Sequence, residues 1–251
     1  MAKKRFRMRG NVWQLVGLAV LAVITFGVVA YALVPAPAPA SVAAPVAKPT
    51  ATPTPAPKPV VAFIGDSYTA GAGASTPAMR WTTRLSVSAG FKEVNLGQGG
   101  TGYATSSTAA DGTVRREYAA SIPEAVKAAP DVVIVSGGRN DAPEQSAVVI
   151  AAIDDFYTRL RAAMPKVKII AVSPVWDAGT PPKGVDLVAT SAKAAVERVG
   201  GAYLDIGQPL AGHPEFIIAD KIHPNDSGAA ALAEATKVAL RQSPAASVMT
   251  P

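Results

Sequence analysis

The sequence predicts an α/β fold, a three-layer α/β/α sandwich on a parallel sheet of about five strands. Three observations carry that expectation. From residue 60 onward, short runs are apolar at every position instead of alternate ones, as strands covered on both faces must be. Longer segments with helical periodicity separate them. Strand and helix then alternate along the chain, the order of linked βα units.

Each element has its own reason. Val60–Ile64 is uniformly apolar and reads as a buried strand, and Glu93–Leu96 reads as a second. Between them Thr76–Ser88 reads as a helix, with Trp81, Leu85 and Val87 near one face. Ser121–Ala129 lies in a helix, and Asp131–Val135 is a β-branched strand. Gln145–Ala163 is a long helix stopped by Pro165, since proline cannot continue a helix. Lys166–Val172 is the fourth strand, Val185–Val199 a helix, Ala202–Ile206 the fifth strand and Asp226–Arg241 the last helix. In such sheets ligands bind beyond the C-terminal ends of the strands. Ser67, Asn140 and His223 all fall in loops at that end, whereas Asn95 lies within its strand.

The chain before residue 60 has a different character. Residues 1–10 are basic, and Val12 to Val34 is apolar except for Gln14 and a few small residues. A helix of that length spans a hydrocarbon core of about 30 Å. The sequence therefore predicts a transmembrane segment over 11–34, with the basic end inside. The alternative is a cleaved signal peptide, with Ala38-Pro39-Ala40 as the cleavage box. The expected location is the cell membrane with an extracellular domain, or outside the cell if the segment is removed. Residues 35–59 hold nine prolines and read as a semi-rigid linker, with Thr50, Thr52 and Thr54 as candidate glycosylation sites. Residues 60–242 form the folded domain, expected to be monomeric, and 243–251 a tail.

Charge and composition exclude several classes. The net charge of +6 comes from the N-terminal region, because seven of the 24 basic residues and none of the 18 acids precede residue 60. The folded part is close to neutral, which removes a nucleic-acid partner. With no cysteine, thiolate chemistry and disulfides are out. Two histidines are too few for a histidine-rich metal site, and no metal or organic cofactor is called for.

Four segments carry chemistry. Gly65-Asp66-Ser67 sets a serine at the mouth of the first strand, and Asp220-x-x-His223 sets an acid three residues before an imidazole. Together they supply a nucleophile, a base and an orienting acid. His213 also precedes proline but has Leu210 at the equivalent spacing, so it reads as structural or rim. Gly137-Gly138-Arg139-Asn140-Asp141 places an amide where it can donate to a developing oxyanion. Gly97-x-Gly99-x-x-Gly102 matches a dinucleotide fingerprint, but the residues after Gly102 are too polar and breaker-rich to open the helix that motif requires. The elbow Gly-x-Ser-x-Gly is absent, which argues against an α/β-hydrolase.

Taken in order, Gly65-Asp66-Ser67, Asn95 to Gly100, Gly138-x-Asn140-Asp141 and Asp220-x-x-His223-Pro224 resemble the blocks of the SGNH/GDSL hydrolases. The resemblance spans residues 60 to about 242 and implies a flavodoxin-like sheet. It implies Ser67 as nucleophile, His223 as base and Asp220 as orienting acid. The N–H groups of Ser67 and Gly100 and the Asn140 amide would form the oxyanion hole, with Gly99 a rival for Gly100 in this glycine-rich block. Asp66 and Asp141 would support the loops. Arg139, Tyr103, Trp176 and Asp177 lie in or beside these loops and could shape the pocket, though each reads as a packing or rim residue before a specific binder. The implied activity is ester hydrolysis on a small-molecule, glycan or lipid ester. A cell-envelope acyltransferase, a non-catalytic binding module and, remotely, a nucleotide-binding oxidoreductase are the competing readings.

Overall fold

Strand β1 (Val60–Gly65) lies inside a five-stranded sheet and decides where everything else goes. It pairs in parallel with β2 (Lys92–Asn95) on one side and β5 (Val132–Ser136) on the other. Beyond β5 come β6 (Lys168–Val172) and β7 (Ala202–Leu204), also parallel. The order β2-β1-β5-β6-β7 reverses direction between β1 and β5. That reversal opens the crevice where ligands bind in open parallel sheets.

The computed structural model describes residues 12–33, 57–243 and 245. Its two units, Met1–Thr54 and Pro55–Pro251, are taken separately. In the second, helices cover both faces of the sheet because successive strand residues point to opposite sides. Val61 and Phe63 face α3 (Trp81–Ala89) and α7 (Asp226–Gln242), packing with Leu85, Ile134, Leu232 and Leu240. Phe63 meets Trp81 edge to face at 5.6 Å. Ala62 and Ile64 face α4 (Ile122–Ala128), α5 (Ser146–Ala163) and α6 (Lys183–Arg198). There Tyr103, Tyr118, Phe156 and Tyr157 form an aromatic cluster, with the Tyr103 and Tyr157 hydroxyls 2.8 Å apart.

The expected strands and helices are present, and the departures are local. The Thr76–Ser88 helix is broken into a 3₁₀ turn, Pro77–Met79, and α3, with Arg80 extended between them (φ −58°, ψ 145°). The Met79 carbonyl left over at the break accepts from Arg84 Nε at 3.1 Å. A four-residue helix, α2 (Ser67–Ala70), starts at the candidate nucleophile. A short antiparallel hairpin, β3 (Ser107–Thr108) with β4 (Val114–Arg115), rises between β2 and α4.

In the first unit, α1 runs Val12–Ala32. Trp13, Leu18, Leu21, Phe26 and Tyr31 are among its exposed large apolar side chains. Among the described residues no helix is long and apolar enough to cross a membrane. The basic decapeptide, the linker with its threonines (up to residue 56) and most of the tail lie outside the described residues.

The sheet is the rigid base for the site, so a cavity in it should be felt directly. Ile134 is fully buried at the centre of β5. Ile134→Ala should lower unfolding stability by about 2–5 kcal/mol with the denaturant slope unchanged, as read by chemical denaturation.

Candidate active site

Three loops converge at the C-terminal ends of β1, β2 and β5, and a fourth, before α7, comes over them. Asp66 ends the first and caps α2, its Oδ1 accepting from Tyr68 N–H at 2.9 Å. An aspartate cap satisfies a helix donor that has no partner within the helix. Ser67 is therefore the first residue of a short, well-anchored helix. Its far end is closed by Gly71 in the left-handed region (φ 88°), whose N–H reaches the Ser67 carbonyl.

The loop after β2 packs backbone to backbone on α2. A side chain at Gly97 would collide with the Ala70 backbone. Asn95, at the end of β2, donates to the Thr69 carbonyl at 2.7 Å and accepts from Gly97 N–H at 2.9 Å. Its work is structural. The fingerprint glycines hold no helix N-terminus, because the chain beyond Gly102 turns into β3. Farther along, the Gly99 carbonyl accepts from Ser107 Oγ at 2.8 Å and from Arg115 Nη1 at 3.3 Å. A trans peptide is planar with C=O and N–H opposed. The Gly100 N–H therefore points away from the hairpin, and Gly100 holds the positive φ (77°) that this turn requires.

The loop after β5 carries Asn140 and Asp141. The buried Asp141 carboxylate accepts from Tyr103 N–H (2.8 Å), Ala104 N–H (3.0 Å), Thr105 N–H (3.1 Å) and Thr105 Oγ1 (2.8 Å). A side chain at Gly102 would strike that carboxylate. Asp141 thus welds the loop after β5 to the loop after β2. Asn140 spends one amide hydrogen on the Thr101 carbonyl at 2.9 Å, which fixes the plane of the amide and leaves the other N–H to donate elsewhere.

The fourth loop brings acid and imidazole together. Asp220 Oδ2 lies 2.6 Å from His223 Nδ1, while Oδ1 accepts from the N–H groups of Ile222 (2.9 Å) and His223 (3.0 Å). The turn holds Lys221 at φ 63°, an uncommon conformation for a non-glycine residue. Desolvation pushes the Asp220 pKa up, but the His223 N–H, the His223 ring and the Ile222 N–H outweigh it and set the value near about 2. Asp220 is therefore a carboxylate at neutral pH.

Tyr68 joins this loop to the others. Its hydroxyl accepts from Arg139 Nη1 at 2.6 Å and donates to the Ile222 carbonyl at 2.6 Å, next to His223. Arg139 is buried, bonds Asp177 at 3.3 Å and stacks over Trp176 with its guanidinium carbon 4.2 Å from the ring centroid. Of these four residues, Tyr103 packs in the core and Arg139 braces the loops from beneath. His213 is engaged elsewhere, stacked on Phe216 and bonded to Glu215 at 2.8 Å. A wide concavity of about 680 Å³ lined by Arg161, Lys168 and Gly201 includes none of these residues. The roles of Tyr68, Ser107 and Arg115 had no sequence signal, since each acts through backbone carbonyls distant along the chain.

Comparison with known proteins places the chain in a family. The GDSL-like lipase/acylhydrolase family matches residues 63–231. The chain belongs to that family, and it is a carboxylic ester hydrolase. It is similar to a GDSL lipase of Mycobacterium tuberculosis, 29% identical over 192 residues, covering 69% of this chain and 78% of that protein. Among solved structures it resembles a carbohydrate acetylesterase family member from Sinorhizobium meliloti. That match has a TM-score of 0.56 at 16% identity and covers 73% of this chain and 98% of that one. It also resembles a family two carbohydrate esterase from Clostridium thermocellum in complex with cellohexaose. Here the TM-score is 0.57 at 18% identity, with 74% of this chain and 66% of that one covered. These two likenesses establish the fold.

Asp66 gives the site a pH dependence. Desolvation raises its pKa to about 6, against the opposing pull of the Tyr68 N–H and Arg139. The folded state holds this proton more tightly than the unfolded chain, so stability falls as pH rises from about 4 to about 6 and is level above that. Asp66→Asn keeps a capping oxygen and removes the charge. Its stability relative to the parent should improve between pH 4 and pH 7 by on the order of 3 kcal/mol, measured by urea unfolding at each pH. A flat difference would remove Asp66 ionisation as the cause.

Proposed function

We propose that the protein is an exported serine esterase in which Ser67 attacks the ester carbonyl and His223 takes its proton. Asp220 holds the His223 ring in the tautomer with its proton on Nδ1, leaving Nε2 to act as base. The oxyanion is met by the N–H groups of Ser67 and Gly100 and by the free hydrogen of the Asn140 amide. Collapse of the tetrahedral intermediate expels the alcohol, protonated by His223, and leaves an acyl-Ser67. Water, deprotonated by His223, then releases the acid and restores the serine.

The observation that carries this reading is the Asp220–His223 pair at 2.6 Å, tied through the Ile222 carbonyl and Tyr68 to the helix that begins at Ser67. A triad needs its base oriented by a third group, and this one is oriented at both the ring and the backbone. Choosing Gly100 over Gly99 is supported by the Gly99 carbonyl, which the hairpin draws to its own side. The substrate class that fits best is a short-chain acyl ester or an acetylated glycan, as the likeness to carbohydrate esterases suggests. An O-acyltransferase would use the same groups with a sugar hydroxyl in place of water, and a product assay with a glycan acceptor separates the two. Residues 60–242 form the catalytic domain in this reading. Residues 11–34 tether it to the outside of the membrane, a role supported by the apolar side chains of α1 and the basic residues before it.

The test uses a fluorophosphonate probe and short p-nitrophenyl esters on the whole chain. Wild-type protein should label and turn over, and Ser67→Ala should do neither. Labelling that survives in Ser67→Ala would sink the nucleophile assignment. Asn140→Ala should lower kcat by about 10²–10³ with a smaller change in KM, as for loss of one oxyanion donor.

A further inference from the structure

Two arginines stand at the site, and they are treated in opposite ways. Arg139 is buried and fully engaged by Asp177, Tyr68 and Trp176. Arg115, at the end of β4, is half-buried on the hairpin above the loop after β2. A methyl group placed on Gly99 would sit 2.9 Å from Arg115 Nη1 and 3.7 Å from Ser67 Cβ. Guanidinium and nucleophile therefore flank the same glycine.

Arg115 has five N–H donors, and one is used, in a long 3.3 Å bond to the Gly99 carbonyl. Among the described residues it makes no ion pair. The acids around the site are committed elsewhere. Asp141 is saturated by four donors, Asp220 holds His223, Asp177 holds Arg139, and Glu117 accepts from Ser106 Oγ. The exposed Asp111 carboxylate in the hairpin turn attracts Arg115 without forming an ion pair with it, and a partly desolvated cation with no direct partner is an expensive arrangement in an isolated protein. Its geometry suits a planar anion, because the guanidinium fork presents parallel N–H groups to carboxylate or phosphate oxygens.

We propose that Arg115 is a substrate-binding residue that recognises a carboxylate- or phosphate-class group carried by the ester, close to the scissile carbonyl. The proposal rests on the serine-esterase reading of the same site and names its substrate class: anionic esters. The hairpin is then a specificity element, with Ser107 bracing it against Gly99 and Arg115 aiming past that glycine.

The experiment compares matched ester pairs on the whole chain. On the acyl side the pair is p-nitrophenyl hemisuccinate against p-nitrophenyl butyrate. On the alcohol side it is an acetylated uronic acid against the corresponding acetylated neutral sugar. Each pair gives a ratio of kcat/KM, anionic over neutral, in which any effect of Arg115 on the oxyanion loop cancels. Wild-type protein should favour the anionic member of at least one pair, and the responding pair tells which side of the ester carries the anion. Arg115→Gln should lower that ratio about 10–100-fold, the worth of a charged hydrogen bond. Arg115→Lys should retain part of it, and Arg115→Glu should drive it below the Gln value. A wild-type ratio of one or less in both pairs overturns the proposal. So does an equal loss on both members in Arg115→Gln, which would make the residue a brace for Gly99 only. Turnover of the neutral esters and labelling of Ser67 report on the esterase reading independently, so the two ideas fail separately.

Discussion

A buried guanidinium has to be paired, and the way Arg139 is paired arranges the rest of the site. Its charge cannot be shed at any working pH, so burial obliges neighbouring groups to supply acceptors. Asp177 supplies one and the Tyr68 hydroxyl another, and Trp176 offers its ring face. Because Tyr68 accepts from Arg139, its one proton must go elsewhere, and it goes to the Ile222 carbonyl. The direction of that hydrogen bond is dictated by the cation. Desolvation raises the Tyr68 pKa further, the opposing influence of Arg139 notwithstanding, so the hydroxyl remains a donor. Tyr68, beside Ser67, is thereby fastened to Ile222, beside His223, across four loops that share no sequence proximity.

Asp141 plays the complementary part with the opposite sign. A buried carboxylate needs donors, and three consecutive N–H groups and a hydroxyl from residues 103–105 supply them. Glycine at 102 is what lets the backbone come near enough. The same loop carries Gly99 and Gly100, so the acid after Asn140 also bears on the second proposed oxyanion donor, the Gly100 N–H. Arg139 and Asp141 flank Asn140 in the chain, and each ties its neighbour's surroundings to a different loop. An amide held between two such anchors meets charge developing in a substrate without first reorganising, which is where electrostatic catalysis draws its strength.

Much of this was legible in the residues. Uniformly apolar strands such as Val132–Val135 announce a sheet covered on both faces, and the sheet's crevice is a consequence of that. The Asp220–His223 spacing announces their contact, because three residues of turn are short enough for one carboxylate to reach both ring and backbone. What escaped was of two kinds. Tyr103 sits in a polar, glycine-rich stretch that looks like a rim, yet it is core, because α5 brings Phe156 and Tyr157 to it from far along the chain. The hairpin escaped because two-residue strands show no periodicity. Asp111-Gly112 does mark its turn, with Gly112 at φ 84°, but without flanking alternation that signal reads as plain loop.

The hairpin and the base of the site obey different physics. Beneath Ser67 three of the charges have partners within the protein: Arg139 is paired with Asp177, the Asp141 carboxylate with its donors, and Asp220 with the His223 loop. These groups make the site rigid and would serve any ester alike. Above Ser67 the hairpin adds Arg115, a cation that the exposed Asp111 attracts but that forms no ion pair among the described residues, on an element whose strands are too short to belong to the core. Under the proposed role of Arg115, chemistry on the sheet and an unpaired cation on an added loop would separate reactivity from choice of substrate. In the proposed reading, changing the loop would redirect the enzyme with little effect on Ser67, His223 and Asp220, because the hairpin's side-chain hydrogen bonds to the site run to the Gly99 carbonyl.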